Sequence, residues 1–284
     1  MKKILVIYNN ELATGVFKDQ YESYVQSFLK IGVDARAVSS SEILSTVYDD
    51  GEKIDADGAV FLDKDIYLAM LLELKGLKLF NPAECIRVCD DKALTYITLY
   101  KNGIPIPKTI VAPKIYGETS FDWCEKAVRQ IGYPLVIKEC FGSLGMQVYL
   151  AENKKEMMKV VKDIGEKPFV FQEFLKEGSG WDIRVIVADG EVIGAVKRSS
   201  EKDFRANAAR GGKLEPFDLS EEDKKLAISA VKAVGGFFAG VDLIRKKDGF
   251  VVCEVNSNML FGGAQSALGI SISDIIAEKI KRVV

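Results

Sequence analysis

Residues 240–256 read GVDLIRKKDGFVVCEVN, two apolar runs on either side of the polar stretch Lys246-Lys247-Asp248-Gly249. Val, Leu and Ile at strand length around a glycine-ended turn predict a β-hairpin. Gly249 would supply the left-handed backbone that closes a three-residue loop, Lys247-Asp248-Gly249. Such a loop sets Asp242 directly opposite Glu254, and Asn256, two residues further on, shares their face. Carboxylates withdrawn from water are costly unless something compensates them. Within the two strands no Lys or Arg shares that face, so a bound cation is the expected compensation. Two carboxylates and a carboxamide are hard oxygen donors that suit Mg²⁺, and Mg²⁺ held this way commonly also holds phosphates. The alternative is a hairpin whose acidic residues sit at solvated strand ends.

The rest of the composition narrows the chemistry. The chain has 284 residues, 48% hydrophobic and 28% charged, as for an ordinary globular protein of about two domains. A formal net charge of −2 predicts neither a nucleic-acid nor an anionic-membrane partner. The apolar run Ile4–Tyr8 is too short for a signal peptide, and no stretch approaches membrane-spanning length. Five scattered cysteines read as reduced thiols of a cytoplasmic protein, and Cys85 and Cys89 have no further close ligand for a zinc site. There is no histidine, which removes Ser-His and Cys-His nucleophile mechanisms. Chemistry here runs on carboxylates, Lys, Arg, backbone amides and metal.

Taken in order, the chain opens with a strand at Lys3–Tyr8, a helix at Phe17–Ile31 and a strand at Val33–Val38. A helix after Ser39-Ser40-Ser41, a strand at Ala59–Leu62, a helix at Ile66–Leu74 and a short strand at Lys78–Phe80 follow. This alternation predicts a small open parallel sheet with helices on its faces. Ligands bind at the carboxyl ends of such strands, which singles out Asn9, Asn10 and Glu11; the alternative there is a polar turn. A helix is expected from Asp90 to Tyr100, then an extended Ile104–Pro107. Further on, Lys138 ends an apolar strand and Gly142-Ser143-Leu144-Gly145 follows it. A lysine facing a glycine turn suits phosphate, because glycine lets backbone N–H groups approach the oxygens. The alternatives are a plain turn and a solvated lysine, or an RNA-binding loop, which the acidic balance disfavours. Strands at Phe169–Leu175 and Trp181–Val187 lead through the turn Asp189-Gly190 to Val192–Lys197. The cationic, glycine-bearing run Asp203–Lys213 suits phosphates or carboxylates, or is a solvated linker.

These motifs occur in the order found in ATP-grasp ligases: Lys92; Lys138 with Gly142–Gly145; Gln172-Glu173-Phe174-Leu175; Trp181-Asp182-Ile183-Arg184; Arg205–Gly212; Asp242 with Glu254-Val255-Asn256. From about residue 85 to its end the chain resembles the branch typified by the ribosomal protein S6 glutamate ligase, the RimK type. The resemblance implies an α/β and α+β protein, with a small parallel pre-ATP-grasp domain at 1–88 and a two-subdomain ATP-grasp fold at 89–284. A mobile lid is expected at about 107–171. It further implies that ATP lies between the subdomains, with Lys138 on phosphate, Gly142, Ser143 and Gly145 covering the phosphates, and Lys92 beside the nucleotide. Gln172, Glu173, Phe174 and Leu175 would line adenine, Glu173 and Phe174 through their backbones. Asp182 would take the ribose, with Arg184 on the same nucleotide face, and Arg205 and Asn207 would lie by the phosphates. Arg205, Arg210 and Lys197 are the expected catalytic cations. Asp242, Glu254 and Asn256 would hold two Mg²⁺, with Mn²⁺ able to substitute.

The reaction implied converts a carboxylate to an acyl phosphate, which an amine then attacks with release of ADP and phosphate. The expected partners are ATP, a glutamate-like amino acid and a carboxylate-bearing small molecule, peptide or protein; a homo-oligomer is compatible with this reading. Two departures fall on the substrate side: Ala209 stands where relatives often carry His, and Ser257–Gly262 lacks the family's usual Pro- or Gly-containing run. An ATP-grasp ligase of another type, for dipeptides or D-amino acids, and a non-catalytic nucleotide-binding module are the alternatives.

Overall fold

The run KILVIY at Lys3–Tyr8 forms β1, and its four middle residues are buried, as a strand covered on both faces requires. Gly15–Lys30 (α1), Asp34–Ser39 (β2), Gly58–Leu62 (β3), Ile66–Leu74 (α2) and Leu79–Phe80 (β4) follow. All pairings are parallel, in the order β2-β1-β3-β4. The structure is a computed structural model that describes residues 1–11, 15–43, 53–117, 120–201, 203–206 and 212–284. The helix expected after Ser39–Ser41 lies outside the described residues. Just before it, Ser39 N–H donates to Glu42 Oε2 at 2.8 Å, and Glu42 N–H to Ser39 Oγ at 3.3 Å.

Ala83–Asp90 (α3) and Lys92–Lys101 (α4) come next, where the sequence predicts one helix beginning at Asp90. Asp91, at φ −96° and ψ 108°, breaks the chain between them, and its carboxylate caps α4 by accepting from the Ala93 and Leu94 N–H groups. Beyond Pro107 lie Thr109–Val111 (β5), Cys124–Ile131 (α5), Leu135–Glu139 (β6), Val148–Ala151 (β7), Lys154–Ile164 (α6) and Phe169–Glu173 (β8). They build an antiparallel sheet of order β5-β8-β6-β7 around its own core of Leu135, Ile137, Phe169, Phe171, Met157 and Val161. Trp181–Ala188 (β9), Glu191–Ser199 (β10), Lys213–Pro216 (β11), Glu221–Ala233 (α7), Phe238–Lys246 (β12) and Gly249–Asn256 (β13) form a second antiparallel layer, β11-β10-β9-β12-β13. Gly262–Leu268 (α8) and Ile272–Val283 (α9) follow. Among the described residues no helix is long and apolar enough to cross a membrane. All five cysteines are free thiols.

The five-stranded sheet sorts its side chains by strand alternation. Ile183, Val185, Val187, Val241 and Leu243 face α7 through Ala227, Ala230 and Val231. On the other face Ile186, Ala188, Val196 and Phe238 join Ile4, Val6 and Val60 of the first sheet, Tyr24 and Phe28 of α1, and Ile276 and Ile280 of α9. Each fully buried Ile or Phe in such a core contributes about 1.5–3 kcal/mol. Asn81 ties the two sheets further: its amide donates to the Phe238 and Ser257 carbonyls, both at 2.8 Å, and accepts from Phe237 N–H at 2.7 Å. Beyond Ile186 and Val196 this second face turns from apolar to charged.

The organising hairpin differs from expectation at its tip. Lys246 pairs with Gly249, so the turn is the two-residue Lys247-Asp248, one residue shorter than predicted. Cys253 is then the extra residue of a β-bulge, which restores the register, and Asp242 still faces Glu254 while Gly240 faces Asn256.

Candidate active site

Four adjacent strands contribute one row of charged side chains. Arg198 of β10 is opposite Asp182 of β9; Arg184, two residues on, is opposite Asp242 of β12, itself opposite Glu254 of β13. Arg198 grips both oxygens of Asp182 at 2.6 Å. Arg184 grips Asp242 through Nε and, at 2.8 Å, Nη2, and Arg198 reaches Asp242 Oδ2 at 2.9 Å. The sequence reading expects a bound cation to compensate Asp242; two guanidinium groups, from β9 and β10, also do so. The hairpin alone could not reveal them, because sheet order decides which strands flank it. Burial pushes the Asp242 carboxyl up, but Arg184 and Arg198 outweigh it and hold the group below its ordinary value. Burial raises the Asp182 carboxyl, and the charge of Asp242 adds to this against the pull of Arg198.

Lys197 does not join the row. A regular hairpin around Asp189-Gly190 would set Lys197 opposite Asp182, but β10 carries a bulge at Ile193 that shifts the register by one residue. Arg198 takes the site face, and Lys197 turns to the α7 side with its ammonium 4.8 Å from the Trp181 ring. Its side chain therefore does not share the face of Asp182 and Arg184. Asp182 and Arg184, expected to meet the nucleotide, are committed to this ion network.

Glu254 ends the row differently. It is half-buried and, among the described residues, makes no hydrogen bond or ion pair. Its charge acts on two buried lysines, Lys92 and Lys138. Lys138 Nζ donates to Tyr96 Oη at 3.0 Å and lies 3.4 Å from Cys253 Sγ; Tyr96 Oη in turn donates to the Cys253 carbonyl at 2.7 Å. Burial works against the Lys138 ammonium, but Cys253, Tyr96 and Glu254 outweigh it and hold its pKa above the ordinary lysine value. Burial pushes the Tyr96 phenol up to about 12, so it remains a proton donor. Lys92 is depressed, by burial first and by Lys138, with Glu254 opposing. Asn256 turns its amide nitrogen to Gly240 O at 3.4 Å and Asp242 Oδ2 at 3.5 Å. A carboxylate without a partner among the described residues, a neighbouring carboxamide and Asp242 are the donor types of a hard divalent cation, with Asp242 sharing its oxygens with the two arginines.

The glycine turn lies over this corner. Lys92 Nζ approaches the Gly142 carbonyl at 3.3 Å, and Lys92 N–H donates to the Cys140 carbonyl at 3.0 Å. Gly142 has φ 146°, and any Cβ there would collide with the Gln147 side chain, so glycine is required. Ser143 is exposed at the tip. Arg205 Nη1 donates to the Gly145 and Val148 carbonyls at 2.7 and 3.0 Å, while Asp203 holds its other edge at 2.6 Å. Asn207 and Arg210 lie outside the described residues.

In the segment expected to line adenine, Gln172 is buried and donates to Thr109 Oγ1 at 2.9 Å. The Glu173 side chain accepts from Lys108 N–H at 2.7 Å and Lys246 Nζ at 2.8 Å. Both side chains serve the sheet. The Phe174 ring meets Phe204 at 6.2 Å and Leu175 is buried. Among the described residues the N–H groups of Phe174 and Leu175 make no backbone hydrogen bond, so this backbone is what the segment offers a ligand. Asn10 and Glu11 form a polar turn: Glu11 N–H donates to Asn9 Oδ1 at 2.9 Å, and the Asn10 amide to Glu11 at 2.8 Å.

Three site residues escaped the sequence reading. Tyr96 looks like any aromatic of an amphipathic helix. Cys253 comes to the site face only through its bulge. Arg198 has the wrong parity until the Ile193 bulge is known.

The model of the RimK-like ATP-grasp domain family matches residues 89–280. The chain belongs to that family. It is 35% identical over 219 residues to beta-citrylglutamate synthase B of Danio rerio, covering 76% of this chain and 53% of that protein. It is likewise 35% identical over 219 residues to N-acetylaspartylglutamate synthase A of Homo sapiens, covering 76% of this chain and 55% of that protein. The chain thus spans about half the length of these curated relatives. The crystal structure of an ATP-grasp RimK domain protein from Sphaerobacter thermophilus shares the fold, with TM-score 0.75, 20% identity, and coverage of 97% of this chain and 98% of that one. The expected mixed architecture, a parallel N-terminal sheet followed by antiparallel ATP-grasp layers, is the one observed. ATP-grasp ligases use ATP with a divalent metal.

Proposed function

We propose that this chain is an ATP-dependent carbon–nitrogen ligase that joins a glutamate-like amino acid to a carboxylate-bearing acceptor, whether small molecule, peptide or protein. The observation that carries the reading is Glu254, a half-buried carboxylate without a partner among the described residues, opposite Asp242 and within reach of the charges of Lys92 and Lys138. A site that neutralises its other acids but leaves this one open beside two buried ammonium groups suits a cation and a phosphate together.

Asp242, Glu254 and Asn256 would hold two Mg²⁺ ions, with Mn²⁺ as a substitute. Bound there with ATP, the ions would supply neutralisation of the γ-phosphoryl charge. Lys138 would bind phosphate oxygens from the lid and Lys92 from the start of α4, and Arg205 would hold the glycine turn over them. An acceptor carboxylate oxygen attacks the γ-phosphorus as the bond to ADP breaks. The amine nitrogen then attacks the acyl carbon, phosphate leaves, and the amine proton is lost to solvent. With no histidine in the chain, its residues act by orientation and charge rather than as nucleophiles.

The names of the two relatives place glutamate in their products, which makes glutamate the first amino acid to test. Residues 1–88 and 89–284 are read as the two units, with a lid of about 107–171, and the free thiols are in line with the cytoplasm. Self-association through the exposed ridge Tyr67, Met70 and Leu74 of α2 belongs to the same reading. Sedimentation of the purified chain tests it.

The assay is phosphate release from MgATP with L-glutamate and a panel of di- and tricarboxylates and peptides, with products identified by mass. Release that needs both amine and carboxylate is expected. MgATP binding without stimulated release across the panel would favour a binding module instead.

A further inference from the structure

The first sheet changes winding direction between β1 and β3, since β2 lies on one side of β1 and β3 and β4 on the other. In open parallel sheets the crevice beyond the carboxyl ends at such a switch point is where ligands bind. Here those ends carry Asn9, directly after β1, and Asp63, directly after β3. Asp63 is 6% exposed, and its Oδ1 accepts from Lys64 N–H at 2.7 Å. Its Oδ2 is buried with no hydrogen-bond partner, and among the described residues no Lys or Arg forms an ion pair with it. The Asn9 amide and the Asp65 N–H face the carboxylate but leave this oxygen unsatisfied. A buried carboxylate oxygen without a donor is costly, more so than the uncharged Gln20, Tyr24 and Gln147 oxygens that are also left without partners.

This corner adjoins the ATP-grasp site. Lys64 Nζ pairs with Asp90 at 2.7 Å, Asp90 ends α3, and the next helix starts at Lys92, whose ammonium approaches the Gly142 carbonyl. The charge of Lys64 is felt at Lys92. A donor arriving at Asp63 therefore arrives beside the nucleotide corner.

We propose that Asp63, with Asn9 beside it, receives the ammonium group of the amino-acid substrate at the β1–β3 switch point, Oδ2 accepting the hydrogen bond that the protein leaves unmade. The inference rests on the ligase reading above and deepens it by giving the amine side a residue. Both carboxylate oxygens are then satisfied only in the complex, and an amino acid is preferred over the same acid lacking its amino group.

The test is thermal stabilisation of the full chain, with Mg²⁺ and a non-hydrolysable ATP analogue present, by L-glutamate and other L-amino acids. Each is compared with its desamino counterpart, for example glutarate. Wild type is expected to bind the amino acid about tenfold or more tightly than its counterpart, the range for a charge-assisted hydrogen bond. Asp63→Asn is expected to remove that preference, to leave affinity for the nucleotide analogue unchanged, and to melt no lower than wild type because a buried charge is gone. A wild type that prefers no amino acid over its counterpart would overturn the proposal. So would a preference that survives in Asp63→Asn, or a loss of stability in that variant with the preference intact, which is the outcome of a purely structural Asp63. Because binding is read without turnover, failure of the ligase reading shows up separately, as absence of phosphate release.

Discussion

Lys138 is buried and charged at once, and three neighbours make that tolerable: the Tyr96 hydroxyl, Cys253 and the open carboxylate of Glu254. Lys138→Ala is expected to weaken MgATP binding by about 1.5–3 kcal/mol, roughly ten- to a hundred-fold, as measured by calorimetry. Tyr96→Phe removes a hydroxyl that both accepts from Lys138 and donates to the Cys253 carbonyl, and should cost about 1 kcal/mol in the same titration. Glu254→Gln keeps volume and removes charge. If the carboxylate serves the transferring phosphoryl group, turnover should fall much further than ATP affinity; equal losses would confine it to docking. Lys92 gives a pH signature. Its pKa is lowered from 10.5 on folding, so the folded state resists protonating it, and that penalty is present in full below the folded pKa. It fades as pH rises from the folded pKa towards 10.5, where the unfolded chain also loses the proton. Lys92→Met should therefore melt higher than wild type at pH 7, with a margin that shrinks towards pH 10, while losing nucleotide affinity. Lys138 and Glu254 were legible in the sequence because each interrupts an apolar strand. Tyr96 was not, since an aromatic on a helix face is indistinguishable from core until its partner strand is known.

The row Arg198–Asp182–Arg184–Asp242–Glu254 is a property of four strands, and no single strand shows it. Its first four members cancel in charge. Replacing Arg198 by Met strips Asp182 of its guanidinium and Asp242 of one of two, which should destabilise the protein by about 3–5 kcal/mol. Asp182→Leu in the same chain should recover much of that, because the orphaned charge is gone; denaturant titrations of the single and double variants decide it. Element existence was largely written in the pattern: the strand Lys3–Tyr8 and the helix Ile66–Leu74 stand where the apolar spacing puts them. Register was legible only where irregularities cancelled. In the β12–β13 hairpin a shorter turn and a bulge at Cys253 offset each other, so the Asp242–Glu254 pairing read from sequence holds. In the β9–β10 hairpin the bulge at Ile193 has no such partner, so Arg198 and not Lys197 reaches the site. A bulge leaves little local signature, because it is stabilised by what packs on it; here Gly194 makes room for Leu268 of α8, distant in sequence.

At the scale of the molecule, the four-stranded layer β5-β8-β6-β7 keeps a core to itself. It meets the rest through a small cluster of Ala93, Tyr96, Cys140 and Val170 and through polar links such as Lys246–Glu173 at 2.8 Å and Arg205 to the Gly145 carbonyl at 2.7 Å. A layer so attached can open at modest cost. Protease should cut at Gly142–Gly145 in the nucleotide-free protein and be slowed by MgATP, and Arg205→Ala should speed the cut in both states. Equal cleavage with and without nucleotide would argue against closure. The remaining two sheets share one core and the Asn81 clamp. That shared core has a temporal side. Ile4, Val6 and Val60 are laid down early in synthesis, yet part of their cover, Ile276 and Ile280 of α9, leaves the ribosome long afterwards. At ~5–20 residues per second, the intervening ~200 residues take roughly 10–40 s. For that interval the nascent first sheet carries an uncovered apolar stripe, and a chain stalled before α9 should be a client of chaperones where the finished chain is not.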